Sequence, residues 1–472
     1  MSLLGDLSTA ARALGAHQAG VQTAGRNLAN VHTVGYARQR VLLGERGVID
    51  TPHGPQGNGV EVLGTEHIRD QFLDATVTRE ISHTALLVAQ KSAYSRAETG
   101  LGETVDRSAD TGAITDASHS TGGISSTLND FFNGWGELSA NPADPGARGA
   151  LLQKAATLAD KFNVADQRLA GLQDNLTAEV TGDVSAVNGL LKQIASLNNE
   201  IGASEALAPG SAIDLRDQRQ GHLEELAKYM NFSTQPAAGL PGQIAVIAKD
   251  TAGGDFAIVE GNAVRGGLTF TGSGFTSGQP PVALSIQGGS LAGNLTARDG
   301  VVAGLRTNLQ DVATQLAAAV NAAYNPGGTR SNFFEMPPAG GIIALDPTLS
   351  STTLRTSITG NSGANEIALA VGAVSERRFT TAGGDLIDGT AGEFFNRTVT
   401  GLGAALTGVN IRLGDQTAVE QMATQQRESV SGVSMDEEMA DMMKFQRAYE
   451  ASARVVRTLD DLLDTIVHGL SR

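Results

Sequence analysis

The chain has 472 residues, with 34 Lys+Arg against 50 Asp+Glu for a net charge of −16, 58 glycines, only 4% aromatic residues and no cysteine. That length admits roughly two to four domains with sizeable cores, and the acidic balance argues against nucleic acid or an anionic membrane as a partner. The missing cysteines exclude disulfides, thiolate metal sites and Cys nucleophiles, and the scarcity of aromatics predicts aliphatic, alanine-rich cores.

The N-terminal "MSLLGDLSTAARALG" has no basic region, and Asp6 interrupts its apolar stretch, unlike a secretory signal peptide. No run of about 18 apolar residues could span a bilayer, so a soluble chain is expected. Leu7, Leu14, Val21 and Leu28 stand seven apart, and Leu3, Ala10, Ala24 and Val31 take the matching d positions, with His17 the one polar intruder. This spacing predicts an a/d helix, with Ser2 as its N-cap. After it, "NLANVHTVGYARQR" (27–40) breaks every helical habit. The mixed stretch 36–80, with "GVEVLG", reads as one or two hairpins.

From Pro145 to Pro209 no proline intervenes, and apolar residues from Leu158 to Ile201 recur at threes and fours. The pattern is helical, although Gly171, Gly182 and Gly189 weigh against one unbroken helix. "DLRDQRQGHLEELAKYM" (214–230) predicts a helix running back along it. Residues 233–290 are rich in Gly, Thr and Val with turn dipeptides, and read as a small β insert. Val302, Leu305, Leu309, Val312, Leu316 and Val320 mark another helix ending at "NPGG", 331–371 is strand-like, and a further helical pattern covers about 393–428. At the far end Met435, Met442, Tyr449, Val456, Leu463 and Leu470 are again seven apart, with Phe445, Leu459 and Ile466 at d. Ser434 and Glu437 form a capping-box pattern, and Asp436, Glu437, Glu438 and Asp441 stand where a helix dipole favours anions. The predicted helix has about 36 residues, or ~54 Å.

Either terminal stripe alone reads as an ordinary amphipathic helix. Two strict seven-residue stripes at opposite ends, one with small residues (Ala10, Ala24) and one with large ones (Met442, Phe445, Tyr449), look made to pair with each other and with neighbouring chains. Catalytic patterns do not emerge. The eight histidines are dispersed without metal-ligand spacing, there is no P-loop and no G-x-S-x-G elbow, and "GLGAAL" at 401 lacks the third glycine of a dinucleotide fingerprint. "DEEM" could be an acid/base pair or cation site, but dipole complementation accounts for it better. Asp460, Asp461 and Asp464 read as a solvated face. Neither an enzyme nor a cofactor or metal is expected.

The motif Asn27, Asn30, Thr33, Gly35, Tyr36, Arg38, Gln39 resembles the N-terminal signature of bacterial flagellar axial proteins. "SGVSMDEEMADMMKFQRAYEASARVV", with Asp436, Glu437 and Glu438, is similar to their C-terminal signature. Its form, together with "FFNGWGELSANPADPG", "LRDQRQGHLEELAKYMN" and "GGSLAGNLTARDGVVAGL", most resembles the hook-associated family of the first hook–filament junction. Arg26 departs from the pattern, which usually has another Asn before Asn27, and the chain is short for the family.

The resemblance implies a mainly α fold with a β-rich insert. The chain would be a discontinuous, elongated multidomain protein with terminal helices in a coiled coil. Residues 1–35 plus 431–472 would form the terminal assembly domain, 36–232 plus 291–430 an elongated helical rod domain, and 233–290 an outer β-rich insert. Leu7, Leu14, Val21, Leu28, Met442, Phe445, Tyr449, Val456, Leu459, Leu463, Ile466 and Leu470 would make subunit interfaces in a helical ring of copies. Partners would be the hook protein, a second junction protein on the filament side, and an export chaperone at the C-terminal helix. Neither nucleic acid nor a membrane would be a partner. The location would be the extracellular flagellum, reached through the type III channel without a cleaved signal peptide. In such a tube the chain must leave its first helix abruptly: Asn30 can cap the helix or turn left-handed, Gly35 supplies a positive φ, and Tyr36 anchors the exit. Another axial protein (hook or distal rod), the partner junction protein or flagellin, and a secreted adhesin or hydrolase remain as alternatives.

Overall fold

A computed structural model of the chain describes residues 3–33, 35–51, 54–103, 123–206, 210–337, 340–361 and 363–469. Ser2, the expected N-cap, and Leu470, the last stripe residue, lie outside them. In chain order the chain forms helix α1 (Leu3–Ala29), strands β1 (Gln39–Glu45), β2 (Val48–Thr51), β3 (Gly54–Gly57) and β4 (Val60–His67), then helices α2 (Gln71–Leu101), α3 (Ile124–Ala140), α4 (Pro145–Glu205) and α5 (Ile213–Ala227). Seven short strands follow: β5 (Ser233–Pro236), β6 (Ile244–Lys249), β7 (Asp255–Glu260), β8 (Ala263–Val264), β9 (Thr269–Phe270), β10 (Phe275–Ser277) and β11 (Val282–Leu284). Helix α6 (Gly289–Thr296) passes through a π-helical stretch, Ala297–Val302, into α7 (Ala303–Tyr324). Strands β12 (Phe334–Glu335) and β13 (Ala344–Leu345), then α8 (Glu366–Gly372), α9 (Ala391–Ser431) and α10 (Met435–Gly469) complete the chain.

The chain divides into two compact units, one of residues 1–85, 184–289 and 416–472, the other of 86–183 and 290–415. Helices α2, α4 and α9 contribute residues to both.

Helix α4 is unbroken over 61 residues, ~90 Å at 1.5 Å per residue. Its glycines cost about 1 kcal/mol each against alanine, but a Cβ at Gly171, Gly182 or Gly189 would meet nothing within 4 Å, so all three lie off the packed face. That face is continuous: Leu151, Leu158, Phe162, Leu169, Leu176, Val180, Val187, Leu191, Ile194 and Ile201 are fully buried. Each buried aliphatic contributes about 1.5–3 kcal/mol, which outweighs the glycine penalty.

In the second unit, α3 buries Ile124, Leu128, Phe131, Trp135 and Leu138 on one face at alternating spacings of four and three. The core is aliphatic and alanine-rich as expected, with one aromatic cluster in which Phe131, Trp135, Tyr324, Phe333 and Phe334 stack with ring centroids 4.9–6.4 Å apart. The strand-like stretch 331–371 is corrected: beyond the two-residue β12 and β13 its described residues are turns, bends and irregular backbone, and Glu366–Gly372 is helical. Helix α2, inside and beyond the expected hairpin region, carries Asp74, Thr78, Ser82 and Gln90 among its buried residues, which breaks the apolar period.

In the first unit β1 and β4 pair antiparallel with a bulge at Leu42/Leu43, and β2 and β3 pair within the same hairpin. Strands β5 to β8 form a four-stranded antiparallel sheet in chain order. Asparagines of α4 hold this sheet and the segment that follows it. Asn198 donates to the carbonyls of Ile244 (2.8 Å) and Gly261 (2.6 Å), and Asn188 donates to Leu268 O (2.8 Å) while accepting from Leu268 N (2.7 Å). A side-chain amide carries the same donor and acceptor as a peptide, so it pairs with passing backbone where no strand is available.

The end of α4 is tied to α5 by Glu205, which accepts from Arg216 Nε (2.8 Å) and Nη2 (2.7 Å). Burial acts to raise the Glu205 pKa, but the Arg216 hydrogen bonds and charge prevail and hold it below its ordinary 4.5. A depressed carboxylate stabilises the fold above its unfolded pKa and loses that contribution as pH falls through the folded value. Glu205→Gln is therefore expected to lower stability at neutral pH and to flatten the acid loss below about pH 4.5. Urea midpoints measured from pH 7 to 3 check this; parallel wild-type and variant curves would contradict it.

Candidate assembly interface

The terminal helices pair in antiparallel fashion within one chain. Asn27 meets Glu438, Gly25 faces Met442 and Gly20 faces Phe445, so the residue numbers run in opposite directions along the seam. The buried positions of α1 are Ala16, Gly20, Thr23, Ala24 and Asn27. Leu7, Leu14, Val21 and Leu28 flank them, half-buried. The tightest part of the seam is thus offset from the leucine stripe toward small residues. On α10, Met442, Phe445, Val456, Leu459 and Leu463 are half-buried, while Tyr449 and Ile466 are exposed.

Small residues sit there because of Phe445. A Cβ added to Gly20 would lie 2.6 Å from the Phe445 ring, so the ring rests directly on α1 backbone. The His17 ring is the neighbour, its centroid 6.4 Å away and tilted by 40°, and among the described residues its buried Nδ1 has no hydrogen-bond partner. Gly20→Val would force these helices apart, and overpacking of this kind costs about 1–3 kcal/mol. Hydrogen exchange of α1 amides should accelerate accordingly, and Phe445→Ala in the same chain should recover part of the loss. An unchanged exchange rate in Gly20→Val would contradict the packing.

At the end of α1 every residue of the turn motif has a defined partner. Asn30 Nδ2 donates to Arg26 O (3.0 Å), and Thr33 Oγ1 donates to Asn30 Oδ1 (3.2 Å). Asn30 thus caps the helix by accepting and donating without a positive φ, and Gly35 turns left-handed, at φ 81°. Asn27 is 1% exposed. Its Oδ1 accepts from Gln39 N (3.0 Å) and Tyr36 Oη (2.9 Å), and its Nδ2 donates to Gln39 O (2.8 Å) and Glu438 Oε2 (2.9 Å). Two donors and two acceptor lone pairs are the whole capacity of an amide; an aspartate would lose both donors. Burial, then the charges of Asp217 and Asp214, push the Tyr36 phenol up to about 12, so it remains a donor throughout the physiological range.

Arg38 closes the arrangement. Its Nε reaches Glu438 Oε1 at 2.6 Å, its Nη1 reaches Glu437 Oε2 at 2.8 Å, Asp441 lies 3.6 Å away, and its backbone N–H donates to Ser431 O (2.9 Å). Glu438 is buried. The acidic run therefore does more than complement a dipole: it clasps the exit of α1 from 400 residues away. The expected capping box is corrected to one half. Glu437 N reaches Ser434 Oγ only at 3.5 Å, and the Glu437 carboxylate turns to Arg38. Gln39 Nε2 donates to Asp214 (3.2 Å). Sequence reasoning missed Arg69, which donates to the Gly35 carbonyl (2.6 Å), to Asp217 (2.9 Å) and to Asp74 (3.1 Å). Nothing in its local sequence sets it apart. Among the described residues no group of three or more His, Cys, Asp or Glu is placed to hold a metal, and no helix is long and apolar enough to cross a membrane.

Comparison with known proteins identifies these termini. The family described as flagellar hook-associated protein FlgK helical domain matches residues 116–333, and that of the flagellar basal body rod FlgEFG protein C-terminal matches 424–468. Flagellar hook-associated protein 1 of Bacillus subtilis is 29% identical over 98% of each chain. That of Escherichia coli is 22% identical over 98% of this chain and 99% of its own. A solved structure, the flagellar hook junction protein FlgK from Burkholderia pseudomallei, is similar over 57% of this chain and 47% of that one, at TM-score 0.46 and 21% identity. The FlgK helical-domain match and relatives aligned nearly end to end make this chain similar to the flagellar hook-associated proteins, structural components of the hook–filament junction.

Proposed function

We propose that the chain is a mechanical, non-catalytic joint whose paired terminal helices build a ring of copies between hook and filament. The observation that carries this is the surface of α10. Although paired with α1, it exposes Met435, Met439, Met443, Tyr449, Val455, Leu462 and Ile466 at 37–54% each. A single helix seldom leaves so many large apolar residues in water unless a further surface covers them. The clasp at Arg38 and Glu438 supports the same reading, because it fixes the angle at which the chain leaves the helix pair. In this reading residues 1–35 with 431–472 form the assembly domain, the stripe from Leu7 to Leu28 faces neighbouring copies together with Met442 to Ile466, and the rest of the chain stands outside it. The hook protein contacts one end of the ring and a second junction protein the other. Export runs unfolded through the type III channel, with a chaperone on the α10 stripe beforehand.

Electron microscopy of a strain lacking this chain tests the function. Hooks without filaments and flagellin in the medium are expected, with filaments restored by the intact gene. Normal filaments without the chain would overturn the proposal.

A further inference from the structure

A second feature of the first unit shares Arg69 with the exit of α1. A cleft of about 860 Å³ opens beside β5, between that strand, α5 and the start of α2. Four arginines line it, Arg69, Arg79, Arg216 and Arg219, against one carboxylate, Asp74. Three of the four have acidic partners: Arg69 pairs with Asp74 and Asp217, Arg79 with Glu80, and Arg216 with Glu205. Arg219 differs. It is 8% exposed, and its Nη1 donates to Asn198 Oδ1 (2.7 Å) and Gly242 O (2.8 Å), both neutral. Among the described residues no carboxylate forms an ion pair with it. Burial, then the neighbouring Arg216 charge, lowers its pKa to about 10, yet it remains a cation at neutral pH. The Glu205 charge offsets part of this, but a buried cation with no direct ion pair is costly, and an incoming carboxylate would relieve that cost.

The strand supplies the second half of the argument. Among the described residues β5 pairs only with β6. All six consecutive residues from Phe232 to Ala237 line the cleft, whereas a sheet face would present alternate residues; the cleft therefore runs along the open edge. Ala237 N donates to Gln243 O in the β6 direction. In an antiparallel ladder residues alternate between the two sides, so Ser233 and Gln235 also face β6, and Thr234 turns its N–H and C=O outward. Pro236 has no N–H, which leaves Thr234 as the outward donor of this strand and allows one register. Leu223, Phe232 and Leu240 add apolar wall.

We propose that this cleft docks an extended acidic segment of a partner protein, added as a strand at the β5 edge with a carboxylate directed to Arg219. Strand addition of this kind draws affinity from main-chain hydrogen bonds and specificity from the side chains between them. The net charge of the chain disfavours a polyanion such as nucleic acid, whereas a short segment that directs one carboxylate into the cleft matches the one lining arginine without an ion pair.

The test uses the full chain and three probes: a fluorescein-labelled hexapeptide of alternating Asp and Val, the same peptide with Lys for Asp, and sodium sulfate. The acidic peptide is expected to bind, to slow hydrogen exchange across 232–237, and to weaken with rising salt. Thr234→Pro should weaken it at least tenfold without altering β5–β6 pairing, and Arg79→Glu severalfold. If Thr234→Pro disturbs the sheet, the acidic peptide N-methylated at alternate residues makes the same test from the other side and should fail to bind. Equal binding of the basic peptide, binding unaffected by both Thr234→Pro and N-methylation, or sulfate alone protecting 232–237 to the same degree would each overturn the proposal.

Discussion

Leu459→Asp combined with Leu463→Asp is expected to leave a folded chain that cannot support filaments. Both leucines are half-buried on α10, where the antiparallel register brings them to the N-terminal end of α1. Full burial of a leucine contributes about 1.5–3 kcal/mol, and a carboxylate in its place adds a desolvation cost of several kcal/mol. The loss recurs in every subunit of a ring, so a change modest in one chain becomes prohibitive for the assembly. The second unit, whose core includes Phe131, Trp135, Phe162 and Leu316, contains neither leucine and should melt as before. Cells should make hooks, release flagellin and fail to swim. Secretion of the variant must be measured alongside, because the chaperone is proposed to use the same stripe. A secreted double variant that still carried full-length filaments would remove this stripe from the interface.

The second large effect is expected at Glu438. Replacing it by alanine leaves Arg38 without its closest carboxylate and Asn27 without one of its four hydrogen bonds. Breaking a buried pair from one side costs about 3–5 kcal/mol, and the partial exposure of Arg38 puts the expected loss near the lower figure. Because the clasp joins only the ends of the chain, the loss should appear as faster hydrogen exchange in α1 and the first turns of α10, with the second unit unchanged. Glu438→Gln keeps a neutral acceptor and should cost less. Exchanging the two residues, Arg38→Glu with Glu438→Arg, should recover part of the stability. A swap no better than the single variant would locate the effect outside the ion pair.

The asparagines show how far local sequence reaches. Asn30 and Gly35 act as the turn demands, because a helix end and a left-handed residue are local needs. Asn27 belongs to the same motif, yet its four partners include a carboxylate 411 positions away. Asn163, Asn188, Asn198 and Asn321 likewise clasp passing backbone, and none of them stands out in the sequence, because the segment each holds is brought to it by folding.

Periodicity by itself determined α1, α4, α5, α7, α9 and α10 and the β character of 233–290, since the repeat of apolar residues is the direct record of which face a segment buries. It did not determine α2, whose buried face carries Asp74, Thr78, Ser82 and Gln90. Nor did it reveal that the tightest packing on α1 falls on Gly20 and Ala24 beside the leucine stripe. Those outcomes depend on what arrives opposite: Arg69 and Arg427 for Asp74, the Phe445 ring for Gly20, and Arg38 for an acidic run that a helix dipole alone would explain. A sequence states which groups need a partner; only the tertiary structure decides which partner comes within 3 Å, because that choice is made between segments hundreds of residues apart.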